Sequence, residues 1–79
     1  MKKTLTQMHA GEEGRIDFLH GGRGLRNRLY KLGFVEGQRV RKVSDLSWGG
    51  PVIVMVNRSQ VAIGRGMAGK IMIETEKKR

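Results

Sequence analysis

The stretch from Leu25 to Gly37 holds the predicted helix of this chain and two glycine turns. The patterns on either side of it are those of short extended segments. Leu25, Leu29 and Leu32 fall at helical spacing, on one face of a helix about three turns long. Gly33 follows, and glycine commonly ends helices because it adopts left-handed backbone angles without a Cβ clash. Gly37 predicts a second turn before the chain extends again.

Strand-like patterns lie on both sides of this helix. Ile16 and Phe18 alternate with polar residues, which predicts a strand with both side chains in the core. Pro51–Val56 is rich in β-branched residues, and Asn57–Gln60 after it is typical of a four-residue hairpin turn. The other predicted strands are Val40–Val43, with a bulge or bend, then Val61–Ile63 and Ile71–Glu74. Five short strands with one inserted helix predict a mainly β chain, a small SH3-like barrel, with an OB-fold as the alternative.

The size and composition of the chain narrow its function. Its 79 residues predict a single domain, 1–79, and a chain this small buries only about 60% of its unfolded surface, which argues against a deep catalytic cleft. Cysteine is absent, which excludes a disulfide framework and thiolate metal ligands. The initial Met-Lys-Lys is not followed by a signal-like apolar stretch, and no apolar run approaches the roughly 20 residues that span a bilayer. We therefore predict a cytoplasmic protein.

The net charge of +9 is large for this length and favours nucleic acid, an anionic membrane surface or an acidic protein as partner. Between Arg15 and Lys42 there are eight basic and two acidic residues, so much of the charge surrounds the predicted helix. Arg26 and Lys31, with Tyr30 between them, could contact phosphates and stack on a base, as in single-strand binders. A small nucleic-acid-binding barrel is therefore an alternative function, although only 5% of the residues are aromatic.

The segment Gly64–Lys70 matches two nucleotide-binding patterns, G-x-G-x-x-G and the first seven positions of G-x-x-x-x-G-K-[ST]. Ile71 stands where the second pattern requires a hydroxyl group for magnesium. Too little chain follows Gly69 for the strand and acidic residue of a dinucleotide-binding unit. We predict no nucleotide site here and interpret the glycines as residues that allow a tight turn between two strands.

No residues in the sequence form a recognisable catalytic or metal-binding pattern. His9 and His20 are the two histidines, and neither has a partner at a metal-ligand spacing. No serine lies in a nucleophile motif. We therefore predict a protein that is not an enzyme, with no catalytic residue, no cofactor and no metal site within one chain.

A combination of short motifs covers nearly the whole sequence. Its centre is Arg28-Leu29, Leu32-Gly33-Phe34 and Gly37, followed by a strand that begins Pro51-Val52. Further members of the combination are Leu5, Gly11, Gly14, Ile16, Val54, Ala62, Ile63, Gly64, Arg65, Ala68 and Ile71. Together they resemble the FeoA family of ferrous-iron transport accessory proteins. Glu36 departs from the family, whose members commonly have proline before the glycine of the second turn, and this change affects only the rigidity of the turn.

The resemblance implies an SH3-like barrel of the bacterial cytoplasm that serves the FeoB ferrous-iron permease. It also implies binding to the cytoplasmic part of that permease, which includes a GTP-hydrolysing domain, with an effect on its nucleotide cycle or assembly. We expect the helix and a neighbouring loop to make the contact, through Leu25, Arg26, Tyr30, Lys31 and Trp48. The positive charge would also attract the domain to the anionic inner leaflet, at roughly 1 kcal/mol per basic residue near the surface.

Overall fold

The structure is a computed structural model that describes residues 1–45 and 49–75. Its strands are β1 (Lys2–Thr4), β2 (Glu13–Leu19), β3 (Arg39–Asp45), β4 (Val52–Val56), β5 (Ser59–Ile63) and β6 (Ile71–Thr75). The helices are α1 (Arg23–Lys31) and α2 (Arg65–Ala68), and a 3₁₀ turn spans Leu5–Gln7. Within these ranges no helix has the length and apolar character needed to cross a membrane.

The strands form one antiparallel sheet of six strands in the order β1-β6-β2-β3-β4-β5, with β1 and β5 at its edges. The predicted mainly β chain with an inserted helix is confirmed, but the predicted number of five strands is wrong. The additional strand is β1, in which Lys3 pairs with Ile73 of β6. Lys2-Lys3-Thr4 carries no apolar alternation, so its pairing with a distant strand alone decides that it is extended.

The core lies on one face of the sheet and includes Leu29 of α1 and Leu5 of the 3₁₀ turn. Its buried apolar residues are Leu5, Met8, Ile16, Leu19, Leu29, Phe34, Val40, Val52, Val54, Val56, Ile63, Ala68, Ile71 and Ile73. Along β4 and β6, fully buried residues alternate with half-buried ones, as a strand with one face in the core requires. The removal of these apolar side chains from water is the main contribution to the stability of the fold.

The prediction that Ile16 and Phe18 both lie in the core is wrong for Phe18. Ile16 is buried, whereas 47% of Phe18 is exposed. The pairing of β2 with β6 shifts by one residue between these two positions, and Leu19 is buried in place of Phe18. Such a β-bulge reverses which face the following side chains point to. A similar shift between Lys42 and Ser44 confirms the bulge or bend predicted for the third strand.

The hairpin between β4 and β5 is tighter than the predicted four-residue turn. Val56 already pairs with Ser59, so Asn57 and Arg58 alone form the turn. Both have positive φ, 52° and 66°, as in the two-residue hairpin turn whose twist matches that of the flanking strands. Asparagine tolerates this conformation well, whereas the arginine adopts it because the strand pairing on both sides requires it.

Helix α1 ends at Gly33, as predicted, with φ at 98°. The N–H of Gly33 donates to the carbonyl of Tyr30, and the N–H of Phe34 donates to that of Leu29, each at 3.0 Å. This pair of bonds is the Schellman motif, and the buried side chains of Phe34 and Leu29 complete it. Leu32, which the spacing predicts on the same face as the buried Leu29, is 38% exposed because it lies at the cap, past the last helical residue.

Candidate protein-interaction surface

Helix α1 presents a basic surface whose charges are not neutralised locally. Its four basic residues are Arg23, Arg26, Arg28 and Lys31, and the helix contains no acidic residue. Among the residues that the structure describes, none of these four forms a salt bridge. The nearby carboxylate of Glu36 accepts a hydrogen bond from the Tyr30 hydroxyl at 3.3 Å. The helix therefore offers a concentrated positive charge to a partner.

Exposed apolar side chains lie at the carboxyl end of this basic helix. Tyr30, Leu32 and Val35 are each between 38% and 39% exposed. The Schellman motif and a second turn fix the backbone that carries them, because the N–H of Gln38 donates to the carbonyl of Val35 at 3.0 Å. We call Arg26, Tyr30, Lys31, Leu32 and Val35 the helix-end surface. It includes exposed aromatic and aliphatic side chains as well as two cations, a composition typical of a protein-binding site.

The predicted partner-binding residues fall in different environments. Tyr30 and Lys31 are exposed and Arg26 is half-buried. Leu25 is half-buried and packs against the core, so its side chain is less accessible than the others. Trp48 lies outside the described residues. Which residues bind a partner therefore stays a prediction.

Sequence reasoning missed two members of the helix-end surface, Leu32 and Val35. Leu32 continues the spacing of Leu25 and Leu29, so periodicity alone places it on the same helix face as the buried Leu29, and Val35 follows the helix next to the buried Phe34. The position of Leu32 directly before a helix-ending glycine is the one signal that could have revealed its exposure, since the helical periodicity ends there.

Four salt bridges of the described chain lie away from α1. The salt bridges join the N-terminal ammonium to Glu74, Lys2 to Asp17, Lys3 to Glu12, and Arg39 to Glu13, at 2.7, 3.1, 3.1 and 3.7 Å. All four lie on the sheet or at its ends rather than on α1. These carboxylates neutralise part of the charge of the sheet, whereas α1 has no such pair in the described chain.

Glu12 is held in its charged form by two neighbours. The backbone N–H of His9 donates to its carboxylate at 2.9 Å, and the Lys3 ammonium group does so at 3.1 Å. These contacts hold the pKa of Glu12 below its ordinary value, with the His9 hydrogen bond as the larger cause. The contacts that hold the loop before β2 therefore depend on pH, because they need the ionised carboxylate of Glu12.

The sequence places Lys42 among the charges around the predicted helix, but in the structure its side chain is in the interior. Its side chain is fully buried under the 3₁₀ turn. Nζ donates to the carbonyls of Met8 at 2.8 Å and Thr6 at 3.1 Å. Lys42 therefore joins the amino-terminal segment to β3 and is not part of an accessible basic face.

In residues 1–45 and 49–75, no group of three or more histidine, aspartate or glutamate side chains is arranged to hold a metal ion.

Comparison with known proteins shows which family this chain resembles in sequence and in fold. A family model for the FeoA domain matches residues 3–75. The "Putative Fe(2+) transport protein A" of Methanocaldococcus jannaschii is 38% identical to this chain over 64 residues, which are 81% of this chain and 76% of that protein.

Two solved structures share the fold closely. The crystal structure of an iron uptake regulatory protein (FeoA) is 29% identical, with a TM-score of 0.90 over 96% of this chain and 100% of that one. FeoA of Stenotrophomonas maltophilia, described as a procaryotic SH3 domain protein and complexed with zinc, is 26% identical, with a TM-score of 0.73 over 91% and 89% of the two chains. The predicted SH3-like fold is confirmed, and the OB-fold alternative is not. With a family model that matches nearly its whole length and a relative that shares more than a third of the aligned residues, the chain belongs to the FeoA family.

Proposed function

We propose that this chain is a cytoplasmic accessory protein of ferrous-iron uptake, which acts as one domain and docks on the cytoplasmic part of a FeoB-type permease. Its family supports the transport role. The observation that supports docking is the helix-end surface, where apolar Tyr30, Leu32 and Val35 adjoin cations without salt bridges in the described chain. Docking there modulates the GTPase cycle or the assembly of the permease.

The two kinds of side chain on this surface have different roles in binding. The cations of α1 attract an acidic partner surface and raise the association rate, an effect that falls with ionic strength. The net charge of +9 also concentrates the protein near the anionic inner leaflet where a permease lies. The aromatic ring of Tyr30 and the apolar side chains beside it are buried on contact and determine how long the complex lasts.

The test is an amide chemical-shift titration of the isotope-labelled protein with the soluble GTP-hydrolysing domain of the permease at physiological salt. Saturable shifts should appear from Gly24 to Gly37 and be smaller on β5. Tyr30→Ala should weaken binding by about tenfold, because aromatic residues at interface centres commonly contribute at least 1 kcal/mol. The charge reversal of Arg26 and Lys31 to glutamate should weaken it at least as much.

A matched control reverses two exposed cations outside α1, Arg15 on β2 and Arg58 in the β4–β5 turn, which also lack salt bridges among the described residues. The net charge changes equally in the two double variants, so a general electrostatic effect would weaken both. Equal weakening would contradict the proposed surface. The GTP hydrolysis rate of the permease domain, measured with and without the saturating accessory protein, then shows whether binding changes the nucleotide cycle.

A short RNA serves as the parallel titrant, because the alternative of a nucleic-acid-binding barrel rests on the same basic helix. Saturable RNA binding with a steep dependence on the logarithm of salt concentration, without binding to the permease domain, would overturn the docking proposal. Binding to the permease domain alone would support it.

A further inference from the structure

Strand β5 has one edge that no other strand of the described chain covers. The strand order places it at the end of the sheet, where it pairs with β4 alone. Ser59 flanks the two-residue turn, so it forms a hydrogen-bonded pair with β4, and such pairs alternate along antiparallel strands. The intervening residues of β5 are Gln60 and Ala62. Their backbone N–H and C=O groups therefore point away from the sheet.

These outward groups of β5 have no partner in the described structure. No backbone hydrogen bond from a turn, a loop or another segment reaches Gln60 or Ala62. Both residues are also exposed. β5 therefore presents two N–H donors and two C=O acceptors at strand spacing, which is the pattern that an additional strand would complete.

The other edge of the sheet, β1, is protected against such pairing and β5 is not. β1 has three residues, two of which are Lys2 and Lys3. A short strand and lysine side chains are common means by which proteins keep an edge from pairing with another chain. β5 has five residues, Ser59–Ile63, with no charged residue and no proline. The sequence of β5 thus suits the addition of a strand, whereas that of β1 opposes it.

The chain that follows β5 leaves this end of the edge open. An added Cβ at Gly64 or at Gly66 would meet no atom within 4 Å, and neither glycine has positive φ. Gly69 has φ at −69°. The interpretation that the glycines of this segment are needed for a tight turn is therefore wrong, because other residues can adopt these angles. At Gly64, directly after β5, the absence of a side chain keeps the end of the edge accessible.

A basic groove lies beside the edge. Met55 of β4 lies opposite Gln60 and lines this groove. The charged residues of the groove are Arg39, Arg41, Arg58 and Glu13. A salt bridge of 3.7 Å joins the first of these arginines to the carboxylate, whereas Arg41 and Arg58 form no salt bridge in the described chain. The groove therefore favours carboxylates on a strand that is added to β5.

The charge of the whole chain opposes a second copy as the occupant of this edge. Two chains of net charge +9 repel each other, and a high net charge keeps proteins monomeric. An acidic chain is attracted instead. The exposed edge is thus protected from self-association by charge while it stays accessible to an acidic partner.

We propose that the exposed edge of β5 binds an extended acidic segment of another protein as an additional strand. Backbone hydrogen bonds to Gln60 and Ala62 hold the segment, and its carboxylates lie toward Arg41 and Arg58. In this mode of recognition the main chain supplies affinity and the side chains supply selectivity, here through charge. The edge shares no residue with the helix-end surface, and the proposal does not depend on docking to a permease.

The test is amide hydrogen exchange of the isotope-labelled protein, alone and with a peptide of about six alternating valine and glutamate residues. In the free protein the amides of Gln60 and Ala62 should exchange rapidly, whereas that of Val61 should exchange slowly because it bonds to β4. A saturating amount of peptide should slow exchange at Gln60 and Ala62 by about tenfold or more. No saturable protection at these two amides would overturn the proposal.

Protection of both amides in the free protein would show that the edge is already occupied. If that protection rises with protein concentration, together with a dimer in sedimentation velocity, the occupant is a second copy. Either result would also overturn the proposal, because the edge would not be available to an acidic segment.

Two matched peptides test what the edge recognises. A peptide with lysine in place of glutamate should bind at least about tenfold more weakly, because its charge is repelled. N-methylation of the peptide amides that face β5 should also abolish binding, since the methyl group replaces the hydrogen-bond donor. Equal binding of either peptide would contradict the proposal, the first for the role of charge and the second for strand addition.

Ala62→Pro tests the edge in the protein itself. Proline at this position removes an outward donor and no bond to β4, so the melting temperature should change little while peptide affinity falls by about tenfold. Val61→Pro is the structural control, because the same substitution one residue earlier removes a donor that bonds to β4 and should lower the melting temperature strongly. Normal peptide binding by Ala62→Pro would show that the edge is not the site.

Arg41→Gln tests the groove beside the edge and should weaken peptide binding by about two- to fivefold, as expected for an exposed ion pair. Arg23→Gln is the control with the same change in charge, at an exposed position at the start of α1, and should leave affinity unchanged. Equal weakening by the two substitutions would show general electrostatic attraction and contradict the role of the groove.

Discussion

The amino-terminal segment and helix α1 both carry several cations, and they use them in opposite ways. In residues 1–12 the N-terminal ammonium and the side chains of Lys2 and Lys3 each lie in a salt bridge to a carboxylate. In the described chain, none of the four basic residues of α1 does. In the first region each cation lies beside a carboxylate of a neighbouring segment, whereas in the second the charge is available for a partner.

Burial accounts for the difference. The amino-terminal segment contributes only Leu5 and Met8 to the core, so polar contacts, including those of the buried Lys42, supply much of its attachment. Helix α1 is attached by Leu29 and by its end at Gly33, and its fold does not need its cations. An exposed salt bridge contributes little to the free energy of unfolding, so the fold loses little stability when the exposed cations of α1 have no such pair. Three changes, in order of expected effect, test this comparison.

Replacement of Lys42 by methionine should produce the largest effect. The apolar chain would fill a similar volume, but the carbonyls of Thr6 and Met8 would lose their buried donor. We expect the free energy of unfolding to fall by about 2 to 4 kcal/mol, measured by urea denaturation. Lys31→Met on α1 is the control and should change it by less than about 0.5 kcal/mol. Equal effects of the two substitutions would break the distinction between the regions.

Gly33→Ala should have an intermediate effect because α1 depends on how it ends. The alanine would have to adopt φ near 98°, and its Cβ would lie 3.3 Å from the Asn57 side-chain nitrogen. A left-handed conformation costs a residue other than glycine about 1 to 2 kcal/mol, and we expect that loss of unfolding free energy. Gly66→Ala, with no positive φ and open space around it, should be neutral or slightly stabilising. A neutral Gly33→Ala would show that the end of α1 is not a determinant of stability.

The smallest effect should be the pH dependence contributed by Glu12. Its pKa is lowered in the folded state, so the unfolded chain takes up this proton first as the pH falls. The stabilisation is therefore present above the ordinary glutamate pKa of about 4.3 and is lost as the pH falls through the folded-state value. Glu12→Gln should reduce stability at neutral pH by less than about 1 kcal/mol and flatten its decline in acid.

Thermal melts from pH 7 to pH 3 would measure this slope. Glu36→Gln is the control, since Glu36 contacts only the Tyr30 hydroxyl at α1 and no basic residue in the described chain. If Glu36→Gln flattened the acid decline as much as Glu12→Gln, the two regions would not differ in their electrostatics.

The parts of the fold that could be predicted are those fixed by neighbouring residues. Gly33 ends α1 and Gly37 turns the chain because both need positive φ, which the sequence indicates directly. The candidate site could be predicted only in part, since Tyr30 and Lys31 are exposed as expected while Leu25 packs against the core. The accessible apolar residues at the helix end depend on the cap geometry, which periodicity does not describe.

The sequence by itself determined the strand and helix segments, the positions of the glycine turns, the excess of positive charge and the family to which the chain belongs. Tertiary structure decided the addition of β1, the bulge that exposes Phe18 and the burial of Lys42. Each of these depends on which distant segment lies opposite, as Lys3 lies opposite Ile73. Local patterns record the conformational preferences of neighbouring residues, whereas pairing and burial depend on contacts between residues far apart in the chain.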